Sequence, residues 1–384
     1  MKIFLTGITG LVGSSFVTAL LQERNDVKIV ALTRDSAVME ARQRVEETIR
    51  EQCGFDECPE HIAKVMNSLE VISGDVVHLD PEKLAAMPEM QGVDTIFHCA
   101  ADVNLGKDAT GRTYNINFNG TQNVVALAKL LNVKEFHYVS TAYIAGKLQG
   151  RAIEDNPIDS GFNNPYEDSK YHAEQLVRKC GIPFSIYRPS IIIGRLSDGR
   201  VRKPLAFYRI LEFMAKLKKH RCSKLSANPL EWVDMNIHFT AQPSQHVYFV
   251  PIDYVQTSIT ALFQKPVCNK AYHITGNSPV STFQINNAMC YVLRLGNVVV
   301  GQDNPDPNMD EKLMTRFLGD LLPYFSSDII FDQKNVVDGI GEEAIDWHVG
   351  EKGLLTMMRS FFQDFFPNVE WVNEIVKEDL LSEV

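Results

Sequence analysis

Apolar and polar residues follow one another in the first half of the chain in a pattern that predicts strands and helices by turns. Short, nearly continuous apolar runs are typical of strands that are buried on both faces of a sheet. Six such runs occur: "IFLT", "DVKIVALTR", "LEVISGD", "VDTIFHCAA", "KEFHYVSTAY" and "IPFSIYRPSIIIG". Between them, stretches such as "SAVMEARQRVEETIR" and "NINFNGTQNVVALAKLLNV" have the apolar spacing of amphipathic helices. The alternation predicts an α/β fold with a doubly wound parallel sheet.

A glycine-rich turn joins the first predicted strand to the first predicted helix. Gly7, Gly10 and Gly13 have the spacing G-x-x-G-x-x-G in "TGITGLVGSSFVTALL". Glycines in this context permit a tight turn and a close approach of the backbone to a pyrophosphate, which the positive helix N-terminus attracts. The turn therefore predicts a dinucleotide-binding site, with a purely structural turn as the alternative.

The end of the second predicted strand indicates which dinucleotide is bound. An acidic residue there hydrogen-bonds the ribose of NAD, whereas an arginine accommodates the 2′-phosphate of NADP. The chain offers both, Arg34 followed by Asp35, and Arg44 follows within the next predicted helix. We expect NADPH in preference to NADH. The alternative is that Arg34 and Arg44 are solvated surface charges.

A tyrosine and a lysine four residues apart open another predicted helix. The stretch "NPYEDSKYHAEQ" places Tyr166 one turn before Lys170, so that both lie on the same face. A nearby cation favours the ionised form of a phenol and lowers its pKa, which would make Tyr166 a general acid or base. This spacing also arises by chance in many chains, so it needs support from the other motifs.

Composition and charge limit the class of protein. The 384 residues are 45% apolar and 22% charged, as in an ordinary globular protein. The net charge of −10 argues against general nucleic-acid binding. The seven cysteines lack metal-ligand spacing, so we expect no metal site and reduced thiols in a cytoplasmic protein. We also expect no signal peptide and no transmembrane segment, because the chain opens into a strand pattern and has no long apolar run.

Seven motifs in order relate the chain to a known family. They are "TGITGLVG", "LTRDSAVMEARQRVEE", "FHCAADVNL", "NINFNGTQN", "YVSTAYIAG", "PYEDSKYHAE" and "YRPSIIIG". With these motifs the chain resembles an extended short-chain dehydrogenase/reductase. Within that group it is similar to the acyl-thioester reductases, which include fatty acyl-CoA reductases and terminal reductase domains of peptide and polyketide synthetases. "PLEWVDM", "VPIDYVQTSITAL" and "PYFSSDIIFDQKNV" resemble later motifs of that subfamily, although the usual Asn-Gly-Pro after the Trp-Asp segment is missing.

The resemblance implies a catalytic triad of Thr141, Tyr166 and Lys170. Thr141, with Ser140 as the fallback, would hydrogen-bond the substrate carbonyl, where charge develops during hydride attack. Tyr166 would donate the proton. Lys170 would lower the pKa of Tyr166 and hold the nicotinamide ribose.

The resemblance also implies a set of cofactor-binding residues. Asp75 would lie near the adenine, and Ala100 and Ala101 would let the backbone approach the cofactor. Pro189 and Ser190 would lie beside the nicotinamide amide or form a plain turn, and Asn117 would match the Asn of a family motif or simply bend a helix. The full set is Gly7, Thr9, Gly10, Leu11, Val12, Gly13, Arg34, Arg44, Asp75, Val76, Ala100, Ala101, Asn117, Tyr166, Lys170, Pro189, Ser190 and Ile191.

The implied organisation has two parts. We expect residues 1–195 to form a Rossmann-type NAD(P)-binding domain with the triad. Residues 196–384 would form a smaller C-terminal substrate-binding lobe interleaved with late Rossmann elements. The histidines His98, His137 and His172 are interpreted as structural.

The implied reaction is NADPH-dependent reduction of an acyl thioester to an aldehyde, with a second hydride giving the alcohol. The acyl group would arrive on coenzyme A or on an acyl or peptidyl carrier protein. One alternative is an extended-type reductase, epimerase or dehydratase for a nucleotide sugar or a ketone or hydroxysteroid-like substrate; Arg34 argues against an epimerase. Another is a non-catalytic cofactor-binding sensor, against which the complete triad argues.

Basic residues are concentrated at the start of the predicted lobe. Between residues 195 and 224 only Asp198 and Glu212 are acidic, and the local charge is +8. A basic rim would attract the phosphates of coenzyme A or an acidic carrier protein; the alternative is a solvated helix face. The basic residues are Arg195, Arg200, Arg202, Lys203, Arg209, Lys216, Lys218, Lys219, Arg221 and Lys224.

Overall fold

The computed structural model describes residues 1–242, 244–301 and 304–366, together with Trp371, Glu374 and Ile375. These residues form two compact units. Unit 1 consists of Met1–Ser190, Tyr254–Thr275 and Ile329–Ile345. Unit 2 consists of the described residues of Ile191–Asp253, Gly276–Asp328 and Asp346–Val384.

The strands are numbered in chain order through both units. They are β1 (Lys2–Thr6), β2 (Lys28–Thr33), β3 (Leu69–Ser73), β4 (Thr95–His98), β5 (Glu135–Val139), β6 (Gly150–Ala152), β7 (Phe184–Pro189), β8 (Ile191–Ile193), β9 (Val233–Thr240), β10 (His246–Val247), β11 (Phe249–Pro251), β12 (Lys270–Ile274), β13 (Val280–Ser281), β14 (Leu295–Gly301) and β15 (Ile329–Phe331).

The helices are numbered in the same way. A π-helical segment, Asn115–Asn119, joins the fifth helix to the sixth. The helices are α1 (Leu11–Glu23), α2 (Ala41–Phe55), α3 (Ile62–Asn67), α4 (Pro81–Ala85), α5 (Arg112–Tyr114), α6 (Gly120–Leu130), α7 (Pro165–Arg178), α8 (Tyr208–Leu225), α9 (Ile252–Phe263), α10 (Thr282–Leu293), α11 (Met309–Leu318), α12 (Lys334–Ile340) and α13 (Gly350–Phe365).

A seven-stranded sheet in the order β12-β7-β5-β4-β1-β2-β3 forms the centre of unit 1. Every neighbouring pair in it is parallel. The chain runs outward from β1 to β3 and then returns to β4, so the strand order reverses between β1 and β4. Such a reversal opens a crevice at the carboxyl ends of the strands. The predicted doubly wound α/β sheet is confirmed.

The structure differs from the prediction in one strand and two boundaries. The seventh strand, β12, was not predicted. The apolar tail of the sixth run does not continue β7, because the N–H of Ser190 still donates to Ile274 whereas that of Ile191 donates to Tyr248 beside β11. The second helix begins at Ala41 rather than near residue 36, because the Asp35 carboxylate accepts the Ala41 N–H at 2.7 Å and a turn fills the interval.

Unit 2 contains small sheets and an aromatic core. β8 pairs with β11 and β9 with β14, both in parallel, and β10 pairs with β13 in antiparallel orientation. Phe207 packs against Phe249, and Tyr208 packs against Phe361. The hydroxyl of Tyr208 accepts the N–H of Gly194 at 2.8 Å, which anchors α8 to the end of β8.

The basic residues between 195 and 224 do not form one exposed patch. Lys218 is buried, and its ammonium donates to the carbonyls of Pro229, Glu231 and Leu293 at 2.7, 3.0 and 2.8 Å. Lys218 therefore belongs neither to an exposed basic rim nor to a solvated helix face, and both interpretations are wrong for this residue. Acidic residues offset several of the other charges, in the pairs Arg195–Asp198, Arg200–Asp364, Arg209–Asp320, Lys216–Glu212 and Arg221–Asp310.

A buried ion pair fixes α7 to the sheet of unit 1. The Arg188 guanidinium on β7 donates to both carboxylate oxygens of Glu174 on α7, with Nε 3.0 Å from Oε2. Arg178 donates to the same carboxylate at 2.9 Å. Burial acts to raise the pKa of Glu174, but the two guanidiniums outweigh it and hold that pKa at about 2. The helix that carries Tyr166 and Lys170 is thus locked in position through a charge.

We predict that Glu174→Gln lowers the free energy of unfolding at pH 7 by ~3–5 kcal/mol, because Arg188 would be left buried and unpaired. Urea denaturation measures the change. The control is Glu46→Gln, which breaks the exposed Glu46–Arg50 pair and should change stability little. The depressed pKa means that the contribution of Glu174 is present at neutral pH and is lost as the pH falls from about 4.5 towards 2. Equal stability of the two variants at pH 7 would contradict this account.

Candidate active site

A cleft lies at the carboxyl edge of the sheet in unit 1, beside the reversal between β1 and β4. Of the expected cofactor-binding residues, it is lined by Gly7, Thr9, Gly10, Arg34, Arg44, Asp75, Val76, Ala100 and Ala101. It is also lined by residues that the sequence did not single out: Leu32, Thr33, Gly74, Cys99, Asp102 and Ile116. Most of these six residues end a strand of the sheet or directly follow one. Their position at strand ends is the feature of the sequence that could have identified them as lining the cleft.

Close packing in the first turn explains its glycines. Gly7 has a φ of +84°, and a Cβ on it would lie 2.6 Å from the Ala100 nitrogen. A Cβ on Gly13 would lie 2.2 Å from the Gly7 carbonyl oxygen. Gly10 supplies no capping side chain to α1, and the first turn of α1 has no acidic residue. A positive helix end therefore faces a cleft that fits a dinucleotide diphosphate.

The remaining residues of the expected glycine-loop set lie in the first turn of α1. Leu11 and Gly13 are buried and Val12 is partly buried. These three are not among the residues that line the cleft.

Two arginines stand at one end of the cleft. Arg34 Nη1 lies 3.4 Å from Asp75 Oδ2, and Arg44 donates to the Arg34 carbonyl oxygen. The neighbouring Asp35 carboxylate is already engaged, since it accepts from the Ser73 hydroxyl and from the Ala41 N–H. These bonds, that of Ser73 above all, lower the pKa of Asp35. This end of the cleft therefore presents guanidinium groups.

Thr141 and Tyr166 are brought together at the carboxyl end of β5. Thr141 follows that strand and caps a short 3₁₀ helix, Ala142–Ala145, by accepting the Tyr143 N–H at 3.3 Å. Asn164 caps α7 by accepting the Glu167 N–H at 3.0 Å, so Tyr166 lies in the first turn of the helix. The side chains of Thr141 and Tyr166 lie close enough for the Thr141 hydroxyl to act on the pKa of the phenol.

The pKa of Tyr166 differs in direction from the sequence-based expectation. Burial raises the pKa of Tyr166 above its usual range, although the nearby Thr141 hydroxyl acts the other way. Its phenol is therefore protonated at neutral pH. Ser140, the fallback for Thr141, is buried, and its hydroxyl has no hydrogen-bond partner among the described residues.

Lys170, one turn after Tyr166 on α7, is buried. Its ammonium donates to the Tyr138 hydroxyl and to the Val139 carbonyl, both at 2.7 Å. Burial lowers the pKa of Lys170 to about 7. An ammonium has three N–H groups, so one remains without a protein acceptor in the part of the chain that the structure describes.

Asn117 braces the cleft rather than lining it. Within the π-helical segment, its Oδ1 accepts the Asp102 N–H at 2.8 Å, and its Nδ2 donates to the Ser169 hydroxyl on α7 at 2.9 Å. The Asn117 side chain, in the segment before α6, therefore connects the cleft wall at Asp102 to α7.

The residues expected beside the nicotinamide amide lie at the end of β7 and directly after it. Pro189 is the last residue of that strand, and its carbonyl lies 3.5 Å from the Thr141 hydroxyl. The Ser190 hydroxyl is buried and lacks a hydrogen-bond partner within the described ranges. Ile191 begins β8 in unit 2.

Two features are absent from the described residues. They contain no group of three or more His, Cys, Asp or Glu side chains placed to hold a metal ion. None of their helices is long and apolar enough to cross a membrane.

Comparisons with known proteins agree with this geometry. A family model for an NAD-binding family described as "Male sterility protein" matches residues 5–259. The non-canonical nonribosomal peptide synthetase FrzA of Cladobotryum sp is 26% identical over 316 residues, which cover 77% of this chain and 28% of that protein. The terminal R domain of the myxalamid PKS-NRPS pathway is 22% identical, with a TM-score of 0.71 over 95% of this chain and 91% of that one. A thiolation-reductase di-domain from an archaeal non-ribosomal peptide synthetase is 19% identical, with a TM-score of 0.67 over 95% of this chain and 91% of that one.

The structural matches show the fold, and the family model shows the family. The chain spans 28% and 31% of the length of the first two synthetases it matches, so it corresponds to only a part of such proteins. The chain belongs to the NAD-binding Male sterility protein family, whose members are thioester-reductase-like extended short-chain dehydrogenases/reductases, and it is an NAD(P)-dependent reductase.

Proposed function

We propose that the chain uses NADPH to reduce an acyl thioester to an aldehyde, which a second hydride converts to the alcohol. The observation that carries the proposal is that the Thr141 and Tyr166 side chains lie together, with Lys170 one helical turn further on. FrzA is named as a peptide synthetase, and the archaeal di-domain joins a thiolation domain to a reductase. These names support an acyl group delivered on an acyl or peptidyl carrier protein or on coenzyme A.

The roles of the three side chains follow from their hydrogen bonds. Bound NADPH supplies a hydride to the carbonyl carbon. Thr141 and Tyr166 donate to the carbonyl oxygen, where negative charge develops. Tyr166 transfers its proton to that oxygen, which gives a hemithioacetal. Breakage of the carbon–sulfur bond then releases the aldehyde and the thiol. The unshared N–H of Lys170 is assigned to the nicotinamide ribose.

Protonation states support the direction of reduction. A proton donor must carry its proton when the hydride arrives, and the raised pKa of Tyr166 keeps the phenol neutral. The pKa of Lys170 is about 7, so small changes in the contacts of its ammonium change the charged fraction at neutral pH.

The arginine-rich end of the cleft supports NADPH over NADH. Arg34 and Arg44 meet there, whereas the Asp35 carboxylate is held by Ser73 and Ala41. Guanidinium groups suit a 2′-phosphate, and an engaged carboxylate is less suited to the ribose hydroxyls of NADH.

We predict that the protein forms an aldehyde when it is supplied with NADPH and a panel of acyl-CoA and acyl-pantetheine thioesters. The aldehyde can be trapped with a hydrazine and identified by mass spectrometry. Tyr166→Phe should lower kcat/KM at least ~100-fold, the usual contribution of a general acid. Its affinity for NADPH should be unchanged. The matched control is Tyr171→Phe on the same helix, since Tyr171 packs against Phe162 and not against Thr141.

Two results would contradict the proposed function. One is turnover of nucleotide sugars or ketones without any turnover of thioesters. The other is near-full thioester reduction by Tyr166→Phe, which would remove the residue from the mechanism.

We predict that NADPH binds more tightly than NADH. Arg34→Ala should lower the affinity for NADPH by ~10- to 100-fold, because a charge-assisted contact is lost, and should leave the affinity for NADH unchanged. Titration of cofactor fluorescence measures both affinities. Arg42→Ala is the control, because Arg42 is exposed on α2 and does not line the cleft. Equal affinity of the unmutated protein for the two cofactors would contradict the assignment.

A further inference from the structure

A row of buried polar side chains crosses the sheet of unit 1 beneath the cleft. The strand register pairs Thr6 of β1 with His98 of β4, and His98 with Tyr138 of β5. All three residues are fully buried. Thr121 on α6, also buried, contacts both His98 and Tyr138. Buried polar groups must be paired, so this row specifies one hydrogen-bond arrangement.

The arrangement can be traced from the cleft wall. The Ala100 N–H donates to the Thr6 hydroxyl at 3.2 Å, and that hydroxyl lies 2.6 Å from His98 Nδ1. His98 Nε2 lies 2.9 Å from the Thr121 hydroxyl, which itself donates to the Asn117 carbonyl at 2.6 Å. Burial lowers the pKa of His98 to about 3, so the imidazole is neutral. Its proton therefore sits on Nε2 and points at Thr121, and Nδ1 accepts from Thr6.

Tyr138 connects this row to Lys170. The Lys170 ammonium can only donate, and it donates to the Tyr138 hydroxyl at 2.7 Å. The Thr121 hydroxyl lies beside Tyr138 and acts to lower its pKa, so Thr121 is the available acceptor for the phenol proton. The same ammonium lies 4.1 Å from the centroid of the Tyr138 ring, a favourable position for a cation.

We propose that Tyr138 is a positioning residue for Lys170. The Tyr138 hydroxyl and the Val139 carbonyl, both on β5, accept two of the three N–H groups of the Lys170 ammonium. The third N–H is left for the ribose of the dinucleotide. The part of the proposal that concerns the ribose rests on the proposed function. The contact between Tyr138 and Lys170 does not, and it can be tested separately.

The other charges around Lys170 are few. The Glu174 carboxylate on α7 acts to raise the pKa of Lys170, while burial lowers it to about 7. Cys99, which follows β4, also faces the ammonium, but burial raises the pKa of this thiol to about 11, so it is uncharged at neutral pH. His98 faces the same ammonium from β4 and is neutral. Tyr166 lies one turn before Lys170 on α7 and is protonated. Without the Tyr138 hydroxyl, Val139 alone would accept from the ammonium, so the charged form should lose further stability.

The test is a pH titration of Lys170 in the full chain. Protein labelled with ¹³C at lysine Cε is followed by NMR, and Lys170→Ala identifies the resonance. The unmutated protein should titrate near pH 7. Tyr138→Phe should move that midpoint to lower pH by about one pH unit, because a hydrogen bond to a charged group is lost. Tyr187→Phe is the matched control, since Tyr187 is equally buried but its hydroxyl contacts His137 at 2.9 Å.

A second variant guards against misfolding. Thr121→Val removes the acceptor that orients the Tyr138 hydroxyl and should move the Lys170 midpoint in the same direction by a smaller amount. Midpoints unchanged in both variants would overturn the proposal. So would an equal shift in Tyr187→Phe, which would indicate a general effect of buried hydroxyl loss.

Binding and activity separate this proposal from the proposed function. If Tyr138 positions Lys170 for the ribose, Tyr138→Phe should weaken NADPH binding at pH 7 more than at pH 5.5. At pH 5.5 most of the lysine is charged in both proteins, whereas at pH 7 the variant has lost most of the charge that the unmutated protein still partly keeps. A shifted midpoint with pH-independent NADPH binding would confirm the contact and refute the ribose role. Full thioester reduction by Lys170→Ala would refute the proposed function while leaving the Tyr138 contact intact.

Discussion

The burial of one positive charge governs the arrangement of the candidate site. The Lys170 ammonium lies inside unit 1, where an unpaired charge would cost several kcal/mol. The fold compensates with two acceptors on β5 and with the nearby Glu174 carboxylate. Glu174 is in turn held by Arg188 and Arg178. Positioning the lysine, docking α7 and holding Tyr166 beside Thr141 are therefore consequences of the same set of buried charges.

Hydrogen bonds extend this arrangement to the wall of the cleft. Asn117 ties Asp102 to Ser169 on α7, and Thr6 ties Ala100 to the row through His98. Each tie uses a side chain on a helix or strand, so the cleft and the helix that bears Tyr166 are held by regular structure. Sites supported in this way keep their geometry better than sites carried on loops alone.

The sequence predicted the parts of the fold that depend on local pattern. Apolar runs located six strands of the sheet, the glycine spacing located the turn at α1, and the four-residue spacing placed Tyr166 and Lys170 on one turn. β12 was missed because its place in the sheet depends on pairing with β7, which lies far away in the chain. The surface charge of residues 195–224 was misjudged for the same reason, since Asp310, Asp320 and Asp364 come from distant segments. The pKa of Tyr166 depends on burial, which a helical spacing does not report.

Deuterium transfer tests the central claim most directly. NADPH carrying deuterium at the transferable position of the nicotinamide is mixed with the protein and an acyl thioester, and the trapped aldehyde is analysed by mass spectrometry. We predict an aldehyde with one deuterium on its carbonyl carbon, formed at least ~100-fold more slowly by Tyr166→Phe. A protein that binds NADPH yet transfers no deuterium to any acyl thioester, on a carrier protein or on coenzyme A, would contradict the central claim.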